Sequence, residues 1–282
     1  MRPTHALQTE AGTTVIRPTS GWVPPRFGEL WHHRQLLYFL AWRDLKVRYA
    51  QTLLGAVWTV FQPIALMVVF TLAFQRVGKV KTQGVPYQVF VLAGLTFWNF
   101  FSRAVTVGAD SLTANAALVT KTSCPRLVIP LASLVSAFVD FAITLAFFFI
   151  FAAWYGTYPT WRLVVLPFAL LLGIAFIAGL VLLLSALNVR YRDVRQALPF
   201  LIQLWLFLSP VAYPISLLGP RAARLLTLNP LVGIIDSVRW SLIGTNGPSA
   251  AALTFAIAIS IVTLVVGLAY FARAERTIAD LA

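Results

Sequence analysis

Long apolar runs alternate with short polar, mostly basic stretches along this 282-residue chain. A helix that crosses a membrane needs about 20 apolar residues, because ~1.5 Å of rise per residue must cover a hydrocarbon core of ~30 Å. Six segments reach that length: residues 53–74, 85–108, 127–153, 163–187, 197–218 and 249–272. The pattern predicts an all-α integral membrane protein with six transmembrane helices, and no repeat or low-complexity tract interrupts it.

Two further stretches are apolar without fitting a simple span. Residues 225–243 carry Asn229, Pro230, Gly233, Asp236 and Arg239, and such interrupted backbone is tolerated at membrane depth only where protein or water surrounds it. They predict a re-entrant, broken helical hairpin on the outer side between the fifth and sixth spans, the alternative being a loop lying on the membrane surface. Residues 27–49 place Leu30, Trp31, Leu37, Tyr38, Ala41, Trp42, Leu45 and Tyr49 on one helical face, with Arg43 and Lys46 roughly opposite. This suits an amphipathic helix lying in the membrane interface. Leu36, Phe39 and Leu40 fall off that stripe, which points to packing against the spans as well. The chain therefore divides into an N-terminal segment, 1–52, a transmembrane domain, 53–274, and a short tail, 275–282.

Composition agrees: 59% of residues are hydrophobic and 11% charged, well under half the charge of a soluble surface. The net charge of +13, from 22 Lys and Arg against 9 Asp and Glu, is distributed between the apolar runs rather than in a continuous tract. That excludes a nucleic-acid-binding arm. Basic residues near span ends are retained inside. Placing both termini in the cytoplasm puts Arg34, Arg43, Lys46, Arg48, Lys121, Arg126, Arg190, Arg192, Arg195 and Arg273 there, with fewer outside, although Arg76, Lys79 and Lys81 oppose the trend. The N-terminus lacks the plan of a cleaved signal peptide, so the first span is expected to direct insertion. Cys124 is the single cysteine, which leaves no intrachain disulfide and no cysteine metal site.

Catalytic machinery is missing from the sequence. There is no G-x-x-x-x-G-K-[ST] phosphate loop, no H-E-x-x-H, no D-x-D, and no paired acid and base. The expectation is no catalytic residue, no metal and no cofactor in this chain. Three ionisable residues fall in or near spans: Arg103, Asp110 and Asp140. Buried membrane charge is costly and marks a cavity or a partner. An Arg103–Asp140 pair, read as structural, is the simplest use of two of them. Trp58, Phe61, Trp98, Phe100, Trp205 and Phe207 lie deep in the predicted spans, and Tyr213 nearer a span end. Aromatic rings stack on sugar faces, so these side chains are candidates to line a glycan channel; packing against lipid or neighbouring helices is the alternative for each. Between the second and third spans, Leu118 and Val119 with Lys121, Pro125 and Arg126 predict a brief amphipathic helix, capped by Asn115 or Thr113, that docks on a soluble partner.

Several of these segments together resemble the permease subunits of type 2 ABC exporters that move O-antigen, teichoic acid, capsule and galactan chains. The matching stretches are Arg43-Asp44-Leu45-Lys46-Val47-Arg48-Tyr49, Gln51 to Gly55 with Trp58, Gln62-Pro63, Lys121 to Pro130, Asn188 to Arg195, Ala197-Leu198-Pro199-Phe200, Ser209-Pro210-Val211-Ala212-Tyr213-Pro214, Leu228-Asn229-Pro230 and Arg239-Trp240. They cover most of residues 28–274. Cys124 stands where the family usually has an apolar or aromatic residue before the proline.

The resemblance implies a homodimer in a bacterial plasma membrane, with two copies of a separate ATPase below it that bind ATP and Mg. It assigns residues 27–49 to the interface helix. It makes Leu118, Val119, Lys121, Pro125 and Arg126 the coupling loop, and Asn229, Pro230, Asp236 and Arg239 parts of an outer gate. Arg34, Arg43 and Arg48 are candidates to attract the diphosphate of a lipid carrier, or else anionic headgroups. Rival readings are a permease for drugs or lipids, a polyprenyl-linked sugar transferase, and an ion-coupled transporter.

Overall fold

The computed structural model describes residues 33–50, 55, 57–77, 82, 84–121 and 125–281, and the side chains of 76–77, 120–121 and 276–281 lie outside that description. Ten α-helices form among these residues: α1 (Arg34–Ala50), α2 (Val57–Phe70), α3 (Tyr87–Ala114), α4 (Ala116–Lys121), α5 (Val128–Trp154), α6 (Leu166–Arg190), α7 (Asp193–Phe207), α8 (Pro220–Leu226), α9 (Pro230–Ile243) and α10 (Ala250–Leu281). A π-helical stretch, Thr71–Val77, continues α2, and a 3-10 turn, Trp161–Val165, leads into α6.

Among the described residues, five helices are long and apolar enough to cross a membrane, the ones built on α2, α3, α5, α6 and α10. The predicted fifth span, 197–218, is not a continuous helix. α7 has 15 residues, about 22 Å at the α-helical rise, which falls short of a ~30 Å core. Beyond Phe207 the backbone leaves the helix through residues 208–214, where Pro210 and Pro214 supply no N–H to continue it. Hydropathy alone reads straight through this break because its residues are apolar.

α3 is the axis of the bundle. It is packed by α2, α5, α6, α7 and α9, and Val89, Val91, Leu92, Ala93, Leu95, Phe97 and Phe101 are fully buried along it. α6 and α10 make the closest long crossing. A Cβ on Gly179 would lie 2.5 Å from the Thr263 carbonyl, and one on Gly267 2.3 Å from the Gly179 oxygen, so backbone meets backbone there. Outward faces stay apolar: Trp58, Phe61, Val68 and Val69 on α2 and Ile257, Ile261 and Val265 on α10 are exposed.

The residues predicted as an outer hairpin form α8 and α9. α9 starts on an Asn229 cap, whose Oδ1 accepts from the Leu231 N–H at 3.1 Å, and stops at Gly244, which has the left-handed φ of +69° that favours glycine. Leu231, Val232, Ile234, Ile235 and Val238 are fully buried, so α9 packs as a helix within the bundle.

α1 packs against the spans through part of the off-stripe set. Leu40, off the expected stripe, is buried with Ala41, whereas Tyr38 and Trp42 are exposed and stack on each other at 6.4 Å. α1 docks on α5, and its inward side is set by that contact rather than by the widest apolar arc. Residues 27–32 of the expected helix lie outside the described residues.

Candidate translocation site

One face of α3 is polar along its second half. Asn99, Arg103, Thr106 and Asp110 recur three or four residues apart, with Ser102 beside Arg103, which stacks them on one side of a helix. They open into two adjoining cavities that share Thr106 and Val107 in their walls. The larger, about 770 Å³, lies between α1, α3 and α7 and is lined by Arg43, Asp44, Arg48, Asp110, Asn188 and Arg195, among others. The smaller, about 330 Å³, lies deeper, with Thr59, Gln62, Asn99, Arg103, Asp140 and Thr144 in its wall.

Asp140 sits at the junction. Its side chain is 4% exposed, and Arg48 and Arg103 both reach the same carboxylate oxygen, Arg103 through Nε at 2.6 Å and Arg48 in a hydrogen-bonded ion pair. The Tyr49 hydroxyl donates to the other oxygen and lies 3.1 Å from Thr59 Oγ1. Burial pushes the Tyr49 phenol up, and the Asp140 carboxylate beside it pushes the same way, so it remains a donor. The expected Arg103–Asp140 pair is therefore present, with Arg48 joining it. α3 runs six residues past the predicted span end at 108, to Ala114. That puts Arg103 and Asp140 about 17 and 18 Å from the α4 end of their helices, at matching depth.

At the mouth, Arg43 Nη2 bonds Asp44 Oδ1 at 2.9 Å and Asn115 Oδ1 at 2.6 Å, linking α1 to the start of α4. Arg195 lies 3.4 Å from Asp110, and Asn188 donates to the Ala109 carbonyl at 3.1 Å. Arg34 is exposed at the start of α1. The α4 helix forms as expected, but Asn115 does not cap it with its side chain, which serves Arg43 and the Ser111 carbonyl instead, and Thr113 bonds Asp110. Val119 is buried and Leu118 packs beside it, against Leu40, Leu112, Leu127 and Phe271. Those two anchor α4 to the bundle. The Arg126 guanidinium donates to the Glu275 backbone carbonyl of α10, and the Arg126 backbone N–H is 3.3 Å from Glu275 Oε1; Pro125 precedes it, and the Lys121 side chain falls outside the description.

At the opposite end, the break after α7 is held by α9. Asn229 Nδ2 donates to the Leu208 carbonyl at 2.9 Å and lies 3.0 Å from Ser209 Oγ, while Trp205 Nε1 donates to Asn229 Oδ1 at 3.0 Å. Arg239 is 2% exposed, donates to the Pro210 and Val211 carbonyls at 2.7 and 3.1 Å, lies 3.2 Å from Asp236, and sits 3.8 Å over the Phe90 ring. Tyr87 adds a bond to the Ala212 carbonyl at 2.7 Å. Pro230 takes the first helical position. These donors replace the helical partners that residues 208–212 have lost.

The channel aromatics separate into two sets. Trp98 and Trp205 belong to the core around Phe101 and Phe176, whereas Trp58 and Phe61, edge to face at 5.4 Å, stand exposed on α2. Phe207 is exposed at the end of α7, and Tyr213 donates to its carbonyl at 2.9 Å. Asn99, Ser102 and Thr106 belong to no motif in the sequence, whereas Gln62, Asn188 and Arg195 stand in the matching stretches without a site role there. The spacing of the α3 residues carries that signal; the other three join through tertiary packing.

Residues 35–243 match the family profile described as ABC-2 type transporter. The chain belongs to the ABC-2 type transporter family. An O-antigen export system permease protein RfbA from Myxococcus xanthus is 34% identical, with 84% of this chain and 91% of that protein aligned. A protein of the same name from Klebsiella pneumoniae is 29% identical over 87% of this chain and 94% of its own length. The polysialic acid transport protein KpsM of Escherichia coli is 22% identical over 83% of this chain and 91% of its own. As an ABC-2 family member the chain is a transmembrane permease, and the polar face of α3 is the feature of the bundle that suits passage of a hydrophilic molecule.

Proposed function

We propose that this permease is the membrane subunit of an ATP-driven exporter that moves a lipid-linked polysaccharide, of O-antigen, teichoic acid or galactan type, out of the cytoplasm. The observation that carries the reading is the polar face of α3, which runs from the Arg43 mouth to Asn99 through an otherwise apolar bundle. The names of the full-length relatives support a glycan as the cargo.

The working unit is a homodimer in the bacterial plasma membrane, with both termini cytoplasmic. Two polar faces then enclose one passage, and exposed Trp58 and Phe61 of each copy border it. α7 with residues 208–218 completes a sixth, broken crossing, and α8 and α9 re-enter from the outer side as the gate. Two copies of a separate ATPase bind ATP and Mg, and their closure is transmitted through α4 and the Lys121–Arg126 loop. Arg34, Arg43 and Arg48 draw the carrier diphosphate to the mouth, where a guanidinium fork matches phosphate oxygens. The sugar chain follows past hydroxyls and amides that bind it weakly enough to release it.

The test is ATP hydrolysis by the permease reconstituted with its ATPase. Lipid-linked glycan stimulates it on this reading; stimulation by drugs or phospholipid alone transfers the protein to the rival exporter class. Sugar transfer by the purified permease without ATP would sink the proposal outright.

A further inference from the structure

We infer that Arg103, held beside Arg48 on Asp140, forms a phosphate-binding station inside the membrane that receives the diphosphate of a lipid carrier after it leaves the mouth. The inference rests on the export reading above and names a second site along the same path.

Charge is the first argument. Two guanidiniums share a single carboxylate, so the cluster keeps one net positive charge some 17 Å into the bundle. A structural pair needs one cation for one anion, and a surplus cation at this depth is costly. Arg48 with Tyr49 already satisfies Asp140. Arg103 is thus surplus to Asp140: its Nε is buried close to the carboxylate yet makes no aligned hydrogen bond, and its side chain stays 32% exposed toward the neighbouring space.

Space and chemistry are the second. Arg103 and Asp140 are the charged residues in the wall of the 330 Å³ cavity, beside the amides of Gln62 and Asn99, which enter no hydrogen bond among the described residues. A fork of N–H groups with two amide donors suits the oxygens of a phosphate. Asp140 has a defined part: it offsets half of the positive charge, so that the anion binds without being trapped. The cavity adjoins the mouth through Thr106 and Val107, which gives the headgroup a polar route between the two.

The test is binding of farnesyl diphosphate to the full-length permease in phosphatidylcholine nanodiscs, read by intrinsic tryptophan fluorescence, with inorganic pyrophosphate as the lipid-free arm. Arg103→Gln leaves a neutral Arg48–Asp140 pair, so its unfolding midpoint holds or rises while affinity falls about tenfold, the loss of one charge-assisted contact. Arg103→Lys restores most of the affinity. Asp140→Asn doubles the net charge and tightens binding about threefold. Unchanged affinity in Arg103→Gln, or a loss confined to Arg43→Gln at the mouth, overturns the station; so does equal weakening by Arg103→Gln and Asp140→Asn, which marks a merely structural cluster. Should Asp140→Asn fail to fold, the Arg103 pair of variants decides alone. Pyrophosphate bound as tightly as farnesyl diphosphate overturns the assignment to a lipid carrier. No ATPase enters this assay, so its failure leaves the exporter reading intact, whereas absent glycan-stimulated hydrolysis with farnesyl diphosphate binding retained sinks the exporter reading alone.

Discussion

Replacing Arg239 with methionine tests whether the end of the bundle opposite α4 is held by one buried cation. Methionine is similar in length and apolar, so packing is largely kept while the charge disappears. The change orphans the carbonyls of Pro210 and Val211, leaves Asp236 without its 3.2 Å partner, and removes the cation from the Phe90 ring. Removing one member of a buried pair costs roughly 3–5 kcal/mol. Asp236 keeps 18% of its side chain accessible and can be hydrated in part, which puts the expectation near the low end, about 3 kcal/mol. A second route to the same loss is Gly94→Ala. The new Cβ would lie 2.6 Å from Arg239 Nη2 and 3.1 Å from the Val211 oxygen, so it pushes the guanidinium off its acceptors without removing any charge. Unfolding in mixed dodecylmaltoside and SDS micelles, followed by circular dichroism, measures both. The double variant should lose no more than Arg239→Met by itself, because both substitutions break one interaction. A methionine variant within 1 kcal/mol of wild type, or losses that add in the double variant, would refute the lock.

Other expectations follow from the same geometry. Gly179→Leu forces α6 and α10 apart where even an added Cβ would meet backbone at 2.5 Å, and should destabilise by at least the 1–3 kcal/mol of an overpacked core in the same micelle assay. Trp58→Ala and Trp98→Ala separate passage from packing: the first, half exposed, should change stability by under about 0.5 kcal/mol while slowing glycan export in reconstituted vesicles, and the second, 4% exposed, should cost about 3–5 kcal/mol. Asn115→Ala breaks the 2.6 Å link from Arg43 to the start of α4 and should lower glycan-stimulated ATP hydrolysis severalfold with basal hydrolysis retained. Charge reversal at Lys121 and Arg126 together should uncouple the ATPase while membrane insertion, read by protease protection, stays normal.

What hydropathy determined by itself was the class of the protein and the position of its five continuous spans, since transfer of apolar residues into lipid depends on composition and length and hardly on neighbours. The motifs around Arg43, Ser209 and Asn229 were legible as markers too. Their purpose was not, because Arg239 and Pro210 are far apart in sequence and meet only when α9 folds under the end of α7. The same limit hid the break in the fifth span: residues 208–214 are apolar, and the lost helical bonds are replaced by donors from Asn229, Arg239 and Tyr87 that tertiary packing brings in. Sequence placed Asp140 in a membrane and offered Arg103 as its partner. Tertiary structure decided that Arg48 and Tyr49, from a helix expected at the surface, would share that carboxylate, because α1 docks against α5 on Leu40 and Ala41. A lone residue's cost in lipid can be read locally, whereas the counter-charges that make it tolerable come from wherever the packed helices deliver them.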